Sequence, residues 1–244
     1  MDHPAVPPAA PPHRVRVPVN MQHWDRISFL HWPVDPEAVQ PLLPPGLRVD
    51  QWEGSAWVGV TPFFMRVRPL ALPVVPPGCS FPETNMRTYV VGPDGRRGIW
   101  FLRMEVTALW FAVALRGLGL PYVRQHMAVD ATPDEVRYQS RPVEPGGAGG
   151  HDITLRPGAS LSPPTGGPLE RFLTARWDAY HRVGPRLLRT TVEHQPWRLQ
   201  TAHVERCYVP GMFYAARMSP PPDPPLAHAS PGVVVRVSAP SVLR

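Results

Sequence analysis

Thirty-six of the 244 residues are proline, about three times the roughly 5% of an average chain. Proline inside a helix removes a hydrogen bond and clashes with the preceding turn. A bundle of long helices is therefore excluded, and many short strands with proline-marked turns fit instead. Hydrophobic residues make up 43% of the chain, enough for a substantial core. The length suits one large domain or two small ones.

A second constraint acts on chemistry. All 25 basic side chains are arginine, and none is lysine. A Schiff base to a carbonyl needs an amine, and the guanidinium stays protonated and cannot supply one. Only the chain's α-amino group remains. The arginines are scattered, with the densest groups at Arg14/Arg16, Arg66/Arg68 and Arg96/Arg97. A net charge of +6 without a basic run reads as a solvated surface, and no nucleic-acid signature is present. The two cysteines, Cys79 and Cys207, form no CxxC pair, which fits a reducing compartment. Residues 1–19 carry no apolar targeting core, and the apolar stretch Ala108 to Leu115 falls short of the roughly 20 residues that span a bilayer. The expected location is cytoplasmic, with no membrane partner.

Residues 1–19 read as a flexible proline-rich arm, and residues 20–244 as one domain. Strands are expected at Trp24–His31, Thr84–Val91, Gly98–Thr107, Tyr122–Val129, Glu135–Arg141, Asp152–Arg156, Arg186–Val192, Trp197–Cys207 and Val233–Val237. Leu47–Trp52 and Ala56–Met65 read as a hairpin across Glu53-Gly54-Ser55. Asp35 with Pro36 opens a short helix to Leu42. Ala108–Arg116 reads as a second helix, capped by Thr107 and Gly117. The strongest helical period is Leu169–Val183, where Leu169, Phe172, Leu173, Trp177 and Tyr180 share a face.

Alternation puts Glu83, Asn85, Arg87 and Tyr89 on one face of a strand. The next strand places Ile99, Phe101, Arg103 and Glu105 together. Such rows form either a pocket wall or a solvent-facing ribbon whose charges pair across the sheet. Alternation alone favours the ribbon. As a pocket wall, Arg87 is suited to clamp a carboxylate and Glu83 to move a proton. Ten histidines are present, without HExxH or HxH spacing, so no metal site is expected. His126 lies on the strand after Pro121, and His194 and His203 flank Pro196-Trp197. No GxSxG, Walker or GxGxxG motif occurs, and no cofactor is implied.

Several stretches resemble the YqjF-like family of bacterial proteins, whose activity is not settled. They are Trp57-Val58-Gly59-Val60-Thr61-Pro62-Phe63, Glu83-Thr84-Asn85-Met86-Arg87-Thr88-Tyr89-Val90, Gly98-Ile99-Trp100-Phe101, Leu120-Pro121-Tyr122, Leu169-Glu170-Arg171-Phe172-Leu173 and His194-Gln195-Pro196-Trp197. The family is similar to the acetoacetate decarboxylase-like superfamily. That resemblance implies an α+β, mainly β fold: an antiparallel closed or nearly closed barrel with a central cavity and a few peripheral helices. It also implies that Gly119-Leu120-Pro121-Tyr122-Val123 corresponds to the decarboxylases' lysine-bearing stretch, with Tyr122 at the nucleophile's place. Glu83 matches their inner-strand glutamate, which turns the Glu83 row inward. The implied site comprises Glu83 and Tyr122 as catalytic groups, with Asn85, Arg87, Tyr89, Arg103, Glu105 and His126 as ligand contacts. The expected partner is a small anionic molecule, either an oxo-acid turned over without an iminium or a ligand merely sensed or carried. A homo-oligomer is compatible with the sequence.

Overall fold

A computed structural model describes residues 6–70 and 77–243. The proline-dense stretch 71–76 and residues 1–5 lie outside the described residues. Thirteen strands dominate, with four short helices. In chain order they are β1 (Pro18–Val34), α1 (Pro36–Val39), β2 (Arg48–Val49), β3 (Ala56–Pro69), β4 (Ser80–Val91), β5 (Arg97–Val106), α2 (Leu109–Arg116), β6 (Tyr122–Ala131), β7 (Val136–Pro142) and β8 (His151–Ser160). There follow α3 (Pro168–Thr174), β9 (Asp178–Val183), β10 (Arg186–His194), β11 (Gln200–Tyr208), α4 (Pro210–Ala215), β12 (Leu226–Ser238) and β13 (Ser241–Val242). The fold is mainly β, as the proline content requires.

All strands belong to one sheet, and its pairings return on themselves. β5 pairs both β4 and β6, and β12 pairs β1, β10 and β11. Two hydrogen-bonded rings result, which share β12, β1, β3, β4 and β5. β6, β7, β8 and β11 complete one ring, and β9 and β10 complete the other. The middle of this shared wall is therefore covered on both sides, most fully along β4. In β4 every residue from Glu83 to Val90 is buried. Leu30, Val58, Val60 and Met86 turn into the first ring and meet Tyr138, Ile153, Leu155 and Phe213 in a packed apolar core. Phe29, Phe63, Met104 and Val235 turn into the second, against Phe111, Tyr122 and Trp197.

Local signals account for several elements. Asp35 caps α1 by accepting from the Glu37 amide at 2.8 Å, as its short carboxylate suits. Residues 6–17, expected to be an arm, lie against the body. The Trp177 indole donates to the Pro8 carbonyl (3.1 Å), the Val15 amide donates to Glu193 Oε2 (2.6 Å), and the Val15 side chain is buried.

Three local expectations are corrected. The turn at Glu53-Gly54-Ser55 exists, closed by the Trp52–Ser55 bridge, but β2 pairs with β4 and not β3. No side chain caps α2, whose N-cap is Ala108. The expected helix Leu169–Val183 ends at Thr174, and Asp178–Val183 is a strand. The Trp197 indole takes the Thr174 carbonyl (2.9 Å) and Arg176 takes that of Phe172 (2.7 Å). β9 then pairs with β5 and β10, so tertiary pairing overrides the helical period. Asp178 consequently does not pair with Arg182 as it would on a helix. It lies 3.0 Å from Arg96 and accepts from the Thr191 hydroxyl at 2.6 Å.

A β-bulge decides which charges face which ring. Met86 stands opposite Arg103 and Arg87 opposite Phe101, so Leu102 is an extra residue on β5. One inserted residue exchanges the faces beyond it. Ile99 and Phe101 remain beside Arg87, but Arg103 and Glu105 turn to the other side. There Arg103 Nε donates to Glu105 at 2.8 Å, and the Ser140 hydroxyl and the Gly150 amide also donate to Glu105, at 2.6 and 2.9 Å. Arg103 and Gln125 both hold the Ala148 carbonyl. The cluster pins residues 148–150 over the end of the first ring. Gly149 has φ +100°, and a Cβ there would collide with Arg103 and Glu105. Gly149→Ala should therefore destabilise the protein by at least ~1–3 kcal/mol, measured as a lower urea midpoint, whereas Gly146→Ala, with open space around it, should show only its backbone strain.

Candidate functional site

The second ring holds a partly open pocket of about 180 Å³. β4 supplies Glu83, Asn85 and Arg87 to its wall, and β3 supplies Thr61 and Phe63. Trp24 from β1, Phe101 and Met104 from β5, Phe111 from α2 and Tyr122 from β6 add a mostly aromatic lining. β10 and the segment after it contribute His194 and Trp197. Strand rise of about 3.3 Å per residue spaces the α-carbons of Glu83 and Arg87 by ~13 Å, with Asn85 between. The cavity thus has a carboxyl end and a guanidinium end.

At the carboxyl end, the Tyr122 hydroxyl donates to Glu83 Oε2 at 3.1 Å. Burial pushes the Glu83 carboxyl up to about 8, although the bond from Tyr122 opposes the rise. Burial, with Glu83 adding to it, also raises the Tyr122 phenol well above its usual range. At neutral pH the pair is predominantly uncharged, and Glu83 acts as a carboxylic acid.

Arg87 stands at the other end, 7% exposed. Its guanidinium carbon lies 5.6 Å from the Phe29 ring centre, and it interacts with the Tyr89 hydroxyl. Among the described residues no carboxylate lies within ion-pair distance of it, and its Nε and Nη2 have no hydrogen-bond partner. The neighbouring cation behaves differently. Arg176 donates to Asp50 at 2.6 Å and stacks over Phe172 and Tyr89. An unpaired buried charge costs several kcal/mol, and no carboxylate among the described residues offsets that cost for Arg87. Thr61 Oγ1 and Asn85 Oδ1 are also buried without hydrogen-bond partners among the described residues.

The histidines around Arg87 are held neutral. Burial and then the Arg87 charge push His31 well down, and burial lowers His194 to about 4, with Arg87 also lowering it. His31 Nε2 lies 2.7 Å from the Tyr89 hydroxyl. Gly59 makes room for this pair, since a Cβ there would stand 2.8 Å from the His31 ring.

Of the residues expected from sequence, Glu83, Asn85, Arg87 and Tyr122 converge on the cavity. Tyr89 shares their face but lies behind the wall, bonded to His31. Arg103 and Glu105 face away because of the bulge. Their partners on that side include His151, whose Nδ1 is 3.3 Å from Glu105 and whose Nε2 is 3.1 Å from Thr84 Oγ1. Burial alone would raise Glu105, but bonds from His151 and Ser140 with the Arg103 charge hold it at about 2. His126 is exposed on β6, since alternation turns its neighbour Gln125 inward. It borders an open outer groove with Arg124, Arg141 and Arg206. Sequence reading missed Thr61, Arg176, Asp178, His181 and Trp197. The misassigned helix concealed Arg176, Asp178 and His181, and His194 was noticed but given no role.

A family model described as DUF2071, an uncharacterized conserved protein, matches residues 21–234. This chain belongs to that family. It is 32% identical over 186 residues to the uncharacterized protein YqjF of Bacillus subtilis, covering 75% of this chain and 76% of that protein. The fold is similar to the enduracididine biosynthesis enzyme MppR complexed with pyruvate (TM-score 0.68, 15% identity, 96% of this chain and 93% of that one). It is also similar to an acetoacetate decarboxylase-like enzyme from Sphingomonas wittichii RW1 (0.63, 15%, 96% of each) and to acetoacetate decarboxylase from Legionella pneumophila (0.61, 12%, 96% and 92%). The DUF2071 member thus has the acetoacetate decarboxylase-like fold.

Two buried glutamates give opposite pH signatures. Glu83 sits near 8 in the fold against 4.5 in a free chain, so the folded state binds more protons between these values. Its contribution is full below pH 4.5 and is lost as pH rises through 8. Glu105 sits near 2, so its contribution is present above 4.5 and is lost as pH falls towards 2. Glu83→Gln should flatten the alkaline fall in stability, by up to ~1.4 kcal/mol per pH unit within that window. Glu105→Gln should remove the acid limb instead. Urea titrations from pH 3 to 9 read both effects.

Proposed function

We propose that this protein binds a small organic anion in the pocket of the second ring, with Arg87 holding the anionic group. The unpaired, buried Arg87 carries this reading, because a bound carboxylate supplies the missing counter-charge through two parallel hydrogen bonds. The neutral Glu83–Tyr122 pair at the far end donates a hydrogen bond to a carbonyl or hydroxyl of the ligand. A carboxyl titrating near neutrality also suits proton transfer during enolisation or dehydration. Asn85 and Thr61 orient the middle of the ligand. Iminium chemistry is excluded for side chains, since no ε-amine exists anywhere in the chain. In this reading residues 20–244 act as one cytoplasmic, barrel-like binding domain.

A second reading, a sensor or carrier without turnover, is favoured by the lining itself. It contains no Cys nucleophile and, like the whole chain, no Lys. Loss of a bound carboxylate with time, followed by NMR, separates the enzyme from the carrier.

Small carboxylates should raise the melting temperature of the wild type, and Arg87→Ala should abolish that rise. Equal shifts in both proteins would remove the clamp. Borohydride added with acetoacetate or pyruvate should leave no adduct on any internal residue by peptide mass mapping, so that trapping is confined to the α-amino group.

A further inference from the structure

His194 is built as a hydrogen-bond acceptor. Its Nδ1 lies 2.6 Å from the Gln195 carbonyl, and a carbonyl only accepts, so the ring proton resides on Nδ1. Nε2 of the neutral ring then presents a bare lone pair. The ring is wedged between Trp177 and Trp197, each with its centre 4.6 Å away, and Trp24 at 6.0 Å. It cannot turn without displacing indoles. His194 lines the cavity, and Nε2 has no hydrogen-bond partner among the described residues. Asn85 Oδ1 is a second unpartnered acceptor on the same lining.

An oxo-acid brings only acceptors and leaves both groups unmatched. An ammonium would match them, but Arg87 would repel it and no free carboxylate faces it. Asp178, the other acid on the lining, is engaged by Arg96 and Thr191. A neutral donor remains, and a hydroxyl is the smallest that a carboxylate ligand can carry.

We propose that His194 Nε2 reads a hydroxyl on the bound carboxylate, so that the cavity selects hydroxy acids over oxo-acids of the same skeleton. This selection rests on the Arg87 reading given above. Removing a hydroxyl from a site built to bond it leaves buried groups unpaired and is strongly discriminating.

The test uses three matched aromatic acids: mandelate, phenylglyoxylate and phenylacetate. Calorimetry on the wild type should show mandelate binding at least about tenfold tighter than the other two. His194→Phe keeps a ring among the tryptophans, and mandelate and phenylacetate should then bind alike. In wild-type protein labelled with ¹⁵N-histidine, mandelate should shift the His194 Nε2 resonance and phenylacetate should leave it nearly unmoved. That measurement decides the matter if the variant does not fold. Equal wild-type affinities, a preference retained by His194→Phe, or a resonance unmoved by saturating mandelate would each overturn the hydroxyl selection while leaving the anion site intact. If none of the three acids binds the wild type, or Arg87→Ala binds all three as tightly, the anion reading itself fails and the selection falls with it.

Discussion

The structure depends on a sheet wall whose central strand, β4, is buried on both faces. β1, β3, β4 and β5 separate two rings, so each alternating residue must suit one interior or the other. Thr84, Met86 and Thr88 face the packed ring, and Glu83, Asn85 and Arg87 face the hollow one. Filling one ring with apolar side chains gives the wall the rigidity that an open cavity on its other side would not supply. In the polar row burial raises the acid, Glu83, towards its neutral form, and the base, Arg87, packs against the Phe29 ring.

Much of this was legible in the sequence, and the reasons are specific. Proline density ruled out helical bundles. The alternation in Phe81–Val91 identified β4 and grouped Glu83, Asn85 and Arg87. Taken alone it favoured a solvent-facing ribbon, which the burial of every residue from Glu83 to Val90 overturns, because a strand buried on both faces has polar positions that resemble an exposed ribbon. The family resemblance supplied the inward direction. Local rules also named α1 through Asp35 and Pro36.

The rest required coordinates. The bulge at Leu102 leaves no mark in a pattern of alternating residues, yet it removes Arg103 and Glu105 from the cavity. The run Leu169–Tyr180 satisfies a helical period over its whole length. Only the capture of its carbonyls by Trp197 and Arg176, with recruitment of Asp178–Val183 to the sheet, shows where the helix stops. That misreading also hid the neighbours of His194. The histidine's importance comes from ring orientation and a fixed tautomer, which residue identity does not encode.

The single additional residue at Leu102 decides which ions share the hollow with Arg87. With uninterrupted alternation from the Arg87–Phe101 pair, Arg103 would stand opposite Asn85 and Glu105 opposite Glu83, so an ion pair would cross the same face as Arg87. The detour sends both ions to secure a glycine loop on the opposite side. Arg87 is left without a carboxylate partner among the described residues.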